Sequence, residues 1–236
     1  MNPSFFVSAW LGGGKYYLKS GAYILLEVYR IKYLWLNLDH SCGLHEAADL
    51  ALVPFDKSRD ACFKYIDSAC DLLGRPRPGW ALTADDAKKV TSALGDPPFA
   101  SYSIYIMTVS DPDGTNERAV YVGQTNAQSQ RFRGGHAAIS KLHNPIYDGL
   151  KKRIHFGCVS ATNNDDNTIP IEWVTPFNIR KEILDSVEYQ LIFDLKPPLN
   201  NQGVHEYIAS RPKRIYVQNP SEKFLDGQSF GPLEEE

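Results

Sequence analysis

The chain is predicted to be an α+β protein, a small antiparallel or mixed β-sheet flanked by helices with a mainly helical N-terminal region, and three observations lead there. Helical spacing dominates the first 100 residues, short β-type runs begin near Ser103, and apolar residues make up 43% of the 236-residue chain, enough for a core. That composition excludes wholesale disorder and collagen-like architecture. Pro and Gly punctuation at Gly74–Gly79 and Gly95–Pro98 marks the candidate boundaries. The expected division is 1–100, a helical region with a possible DNA-recognition or dimerisation role; 101–203, the site-bearing domain; and 204–236, a C-terminal extension.

Tyr23–Leu38 is rich in aromatic and branched residues and reads equally as strand or helix. Asp56–Leu73 places Cys62, Ile66, Ala69, Leu72 and Leu73 near helical spacing and stops at Gly74, which predicts a helix with a glycine end. Cys62 and Cys70 should then share its apolar face with Phe63 and Ile66. Thr83–Leu94 opens with Thr83 and carries Asp86 three residues on, a relative of the capping box, and Gly95 ends it. Ile104–Val109 and Ala119–Gly123, joined by a polar segment containing Asp113-Gly114, predict a β-hairpin. Helices over Ser129–Leu142 and from Pro145 through Arg153, then a strand over Ile154–Ala161, complete a ββααβ order. Asn178–Phe193 reads as a helix that Lys196-Pro197-Pro198 cannot continue.

Charge and cysteine usage narrow the compartment. No apolar run approaches the roughly 18 residues of a membrane span, and the first residues lack a basic leader, so a cytoplasmic protein with no membrane association is expected. Four scattered cysteines suit a reducing setting better than a disulfide framework, and His40, Cys42 and His45 lack the paired spacing of a structural zinc site. The formal net charge of −3 offers no overall footprint for nucleic acid. It averages over a contrast: between 131 and 153, Arg131, Arg133, Lys141, Lys151, Lys152 and Arg153 face the single acid Asp148, and Arg211, Lys213 and Arg214 form a second cluster. A basic run is often only a solvated surface, but these residues are the candidates for DNA-phosphate contact.

One constellation carries chemistry. Tyrosines sit on the paired strands in Ser103-Ile104-Tyr105 and Tyr121-Val122-Gly123, where the glycine permits close backbone approach. Arg131 follows eight residues later, then His136; Glu188 lies in a Val-Glu-x-x-Leu-Ile stretch, and Asn200 follows Lys196-Pro197-Pro198-Leu199. Taken singly, each has a plain alternative: packed tyrosines, a surface arginine, a solvated glutamate, a turn asparagine. In joint order and spacing they resemble the GIY-YIG nuclease superfamily over roughly 101–203, with the Glu-to-Asn stretch similar to that of GIY-YIG type II restriction endonucleases.

The resemblance implies a Mg²⁺-dependent DNA endonuclease of restriction or host-defence type, acting on double-stranded DNA, with a homodimer as the expected assembly. Glu188 would hold one Mg²⁺ (or Mn²⁺) per active site through hard carboxylate oxygens. Arg131 would fork onto the scissile phosphate, Tyr105 would orient or deprotonate the attacking water with Tyr121 in support, and Asn200 would fix the carboxylate or phosphate. Two departures stand out. Ser103 replaces the first motif's glycine, and His136 lies five residues after Arg131 where one helical turn would place it at four, about 140° away on a regular helix. A helix that begins late at Gly134-Gly135, or bends there, would bring His136 back toward Arg131 as a proton-transfer group; the alternative is a solvent-exposed or DNA-phosphate-contacting histidine. The competing readings are a repair or recombination nuclease acting on branched or damaged DNA, and a catalytically idle DNA-binding module.

Overall fold

The computed structural model describes residues 7, 10–12, 24–25, 31–50, 52–75, 81–98, 101–125, 132, 136–164, 168–206 and 213–232. They form an α+β fold around a seven-stranded mixed sheet. Strand β2 (Ile31–Gly43) is followed by a 3₁₀ turn (Leu44–Asp49), helix α1 (Phe55–Leu73) and helix α2 (Ala84–Leu94). The hairpin β3 (Ile104–Ser110) and β4 (Arg118–Gln124) comes next, then the short helix α3 (Ala137–Lys141), a 3₁₀ turn (Pro145–Tyr147) and β5 (Lys151–Asn163). β6 (Thr168–Pro170), β7 (Val174–Thr175), helix α4 (Phe177–Leu195), β8 (Ile215–Gln218) and β9 (Ser229–Phe230) complete it, and β1 (Ile24–Leu25) pairs parallel with β7 in a separate two-stranded ladder. The sheet order is β4-β3-β5-β2-β8-β9, with β6 beside β5; β2 and β8 run parallel, and the other pairs are antiparallel. Among the described residues no helix is long and apolar enough to cross a membrane.

Alternation along the strands sends two sets of side chains to opposite faces. Ile104, Ile106, Val122, Val159 and Val217 join a core covered by α1 and α4; Tyr105, Met107, Val120, Ile154 and Phe156 join a second core beneath α3 and the two 3₁₀ turns. A register shift after Met107 slips Val120 into the second set.

The local signals at α1 and α2 act as their chemistry predicts. Gly74 closes α1 at φ 61°, a left-handed position that a Cβ would strain, and Cys62, Ile66, Ala69 and Cys70 are buried on its inner face with Phe63 packed beside them. At α2 the reciprocal bonds form: Thr83 Oγ1 accepts from the Asp86 amide, and Asp86 accepts from the Thr83 amide, both at 3.2 Å.

Three expectations change. The N-terminal region supplies a strand of the sheet as well as α1 and α2: Tyr23–Leu38, ambiguous by pattern, contains most of β2, which pairs with β5 along its length and so lies inside the sheet that carries the hairpin. A strand buried on both faces loses the alternation that would mark it. Lys151–Arg153 do not end a helix but begin β5, because their backbones pair with Thr108–Ser110. The C-terminal extension contributes β8 and β9, so the sheet draws on all three sequence segments.

Candidate active site

The hairpin, α3 and Phe132 build a polar and aromatic group in the second core. Tyr105, fully buried on β3, lies opposite Gly123 on β4, and the ring fits only because position 123 has no Cβ: one placed there would stand 2.5 Å from Tyr105 Oη and 2.8 Å from the Tyr121 ring. Glycine is therefore a steric requirement of the tyrosine pair, whose ring centroids are 5.9 Å apart.

His136 completes the group. It is the N-cap of α3, with φ −107° and ψ 126°, so the described helix starts one residue after it; Arg131, and with it the five-residue spacing, lies outside the described residues. Its Nε2 is 2.8 Å from Tyr105 Oη, and its Nδ1 accepts from the Ala138 amide at 3.2 Å. With Nδ1 occupied as acceptor, the neutral imidazole carries its proton on Nε2 and donates it to the tyrosine oxygen. The His136 ring packs edge-on to Tyr121 at 5.3 Å and stacks on Phe132 at 5.8 Å, while Phe132 meets Tyr105 edge-on at 5.2 Å. Tyr121 and His136 are half-buried and form the accessible rim; Tyr105 lies behind them.

Glu188 sits on α4, against the other face, and comes to the end of β4 through Gln124. The Gln124 amide donates to Glu188 Oε2 and to Asp185 Oδ1, each at 2.9 Å, and Asp185 also accepts from Lys181. Adjacent strand residues project oppositely, so Gly123 clears the tyrosines on one face while Gln124 holds two carboxylates at the other. Asp185 was not singled out from the sequence, although its place three residues before Glu188 puts both on one helix face. The paired hard oxygens suit a magnesium-class ion in donor type.

Asn200 reaches the backbone of β4. Its Oδ1 accepts from the Val122 amide and its Nδ2 donates to the Val122 carbonyl, both at 2.9 Å, while the Leu199 amide donates to the Val120 carbonyl. The Leu199-Asn200 segment thus covers the open edge of β4 and fixes the strand that carries Tyr121 and Gly123.

The basic candidates separate. Arg131, Arg133 and Arg211 lie outside the described residues. Lys141 is exposed at the end of α3. Lys151, Lys152 and Arg153 line a groove of about 730 Å³ together with Ser41–Glu46, Leu142 and His143. Within it the Arg153 guanidinium is engaged, bonding Glu222 and Ser41. Lys213 is half-buried before β8, and Arg214 donates to the Gly231 carbonyl and to Ser229, tying β8 to β9.

No family model, curated protein or solved structure matches the chain. The functional reading therefore stands on the residues and their geometry.

Proposed function

We propose that the chain is a Mg²⁺-dependent DNA endonuclease of the GIY-YIG type, of restriction or host-defence character. The observation that carries the reading is the Tyr105–His136 hydrogen bond of 2.8 Å beside Tyr121, with Gly123 making room for it. Hydrolysis of a phosphodiester needs a group to take the proton of the attacking water and a cationic environment for the transition state. Tyr105 as the phenolate supplies the first: the His136 Nε2 proton stabilises the negative charge on Oη, that oxygen takes the proton of the attacking water, and the accessible Tyr121 hydroxyl and His136 ring orient the water. Arg131 supplies a guanidinium for the scissile phosphate.

Glu188, with Asp185 beside it, would hold the Mg²⁺, whose contribution when bound is to neutralise charge on the phosphate and the departing oxygen. Gln124 fixes both carboxylates, and Asn200 positions β4 through Val122. Lys141, Lys151 and Lys152 are the accessible cations for duplex phosphates, and a homodimer would serve a two-fold symmetric target.

Incubation of supercoiled plasmid with the protein and Mg²⁺ tests the reading. Discrete fragments with defined ends support restriction, preference for flaps or junctions supports the repair alternative, and DNA binding with no cleavage under any divalent ion would leave the idle module.

A further inference from the structure

A second histidine-centred group lies across the sheet from the tyrosines and takes no part in the proposed cleavage. Glu117 at the start of β4, His155 on β5 and Glu222 in the β8–β9 connection bring ligand atoms within 4.8 Å of one another. His155 is 1% exposed. Its Nε2 is 2.8 Å from Glu117 Oε1, which also accepts from Thr108 at 2.6 Å. On the other side of the ring, Nδ1 faces Glu222 Oε2 at 3.7 Å, beyond hydrogen-bond length, and that buried oxygen has no hydrogen-bond partner; Arg153 and Ser41 both engage Glu222 Oε1.

With the ring proton directed to Glu117, Nδ1 presents a lone pair to a carboxylate lone pair in a buried setting, and the gap has the wrong length for water. Two hydrogen bonds through one water would hold the atoms about 4.5–5 Å apart. Two ligand atoms each about 2.0–2.2 Å from a zinc-class ion stand about 3.0–3.8 Å apart at angles of about 90–120°. The far carboxylate meets the remaining requirement, because a ligating histidine typically donates its other N–H to a carboxylate that fixes tautomer and orientation. Two carboxylates against the single Arg153 guanidinium also leave one negative charge beside the ring. A cleft of about 580 Å³ bordered by Glu117, Arg153, Glu222 and Phe224 opens onto the group.

We infer that His155 Nδ1 and Glu222 Oε2 form a binding site for one divalent transition-metal cation of the zinc class, with Glu117 as the carboxylate that orients the imidazole and water from the cleft completing the shell. The ion would pin the β8–β9 connection to β5, a structural role on the face opposite the tyrosine group. The site is independent of the nuclease reading and differs in donor type from the all-oxygen Asp185–Glu188 pair.

Titration calorimetry of the full chain with ZnCl₂ and with MnCl₂, without DNA, tests it. Saturation at one Zn²⁺ per chain is expected, with at least a tenfold loss of affinity in Glu222→Gln and about a 10–100-fold loss in Glu117→Gln. Imidazole ¹⁵N spectra of the wild-type protein should show the Nδ1 resonance of His155 shifting on Zn²⁺ addition, a readout that does not rely on any variant folding. Absence of saturable binding, Zn²⁺ binding that survives Glu222→Gln but is lost in Glu188→Ala, or an Nδ1 signal that responds to acid and not to Zn²⁺ would each overturn the inference, the last identifying a protonated imidazole between the carboxylates.

Discussion

His136 and His155 pack against opposite faces of one sheet and meet opposite partners. His136 is half-buried, caps a five-residue helix and shares a hydrogen bond with a phenol among aromatic rings. His155 is buried on a central strand between two glutamates, with the Phe224 ring stacked over it at 4.7 Å. In the proposed cleavage a histidine beside a phenol at an accessible rim serves to move a proton; one held between carboxylates, with Nδ1 facing an unpartnered oxygen, suits the proposed cation. The surroundings, not the residue type, separate the two roles.

The largest effect expected on the first side is on rate. Tyr105→Phe keeps the ring that fills the space over Gly123 but removes the oxygen, and should lower the cleavage rate about 10²–10⁴-fold with little change in DNA affinity. Single-turnover cleavage together with gel-shift binding reads both. A cleavage rate within threefold of wild type would break the contrast, since the tyrosine face would then be packing alone.

Gly123→Ala attacks the same group sterically. A Cβ at 2.5 Å from Tyr105 Oη must displace a fully buried ring, so a loss of about 1–3 kcal/mol in urea unfolding is expected, with cleavage reduced as well. Asn200→Ala removes both bonds to the Val122 backbone and should cost about 1–3 kcal/mol at the β4 edge. If Asn200 instead acted only on phosphate, the variant would lose cleavage at unchanged stability.

The carboxylates sharpen the comparison through pH. Burial alone would raise Glu117, but hydrogen bonds from His155 and Thr108 and the nearby Arg153 charge outweigh it, and its carboxyl lies below the usual value. It therefore contributes stability that is present above the unfolded value of 4.5 and lost as pH falls through the lower folded one. Glu172, fully buried without such partners, is raised by burial to about 7, against the lowering of a backbone hydrogen bond and of Arg180. Its effect has the opposite sign: stability is fully present below 4.5 and is lost as pH rises toward 7. Glu172→Gln should thus be more stable than wild type at pH 8, by about 1–3 kcal/mol, with the gain shrinking to near zero at pH 4. Thermal unfolding across pH 4–8 checks it; Glu117→Gln should be the less stable chain at pH 8, by about 0.5–1.5 kcal/mol.

Local signals carried much of the fold. The αL glycine of α1, the Thr83–Asp86 box, the hairpin with its Asp113-Gly114 turn and the proline stop after α4 depend on neighbours a few residues apart, and each is readable in order. β2 is not, because Leu34, Leu36, Asn37, Leu38 and Asp39 are all buried and leave no alternation. β8, short and alternating only at Ile215 and Val217, was missed because it sits in a segment otherwise rich in turns. In the site, the tyrosines, the glycine and Glu188 were marked by motif and order, whereas the late start of α3 that brings His136 to Tyr105 was one of two open geometries. Asn200's grip on Val122 spans 78 positions, and Arg153 reaches Glu222 across 69. Contacts of that separation leave no local trace, which is why the Glu117–His155–Glu222 group had no signature.

The most direct test of the account is the single-turnover cleavage of supercoiled plasmid by wild type, Tyr105→Phe and Glu188→Ala at equal, verified folding and with Mg²⁺ supplied. The account predicts cleavage by wild type and a loss of at least about 10²-fold in each variant. Wild-type protein that binds the plasmid without cutting it, or variants that cut at the wild-type rate, would contradict it.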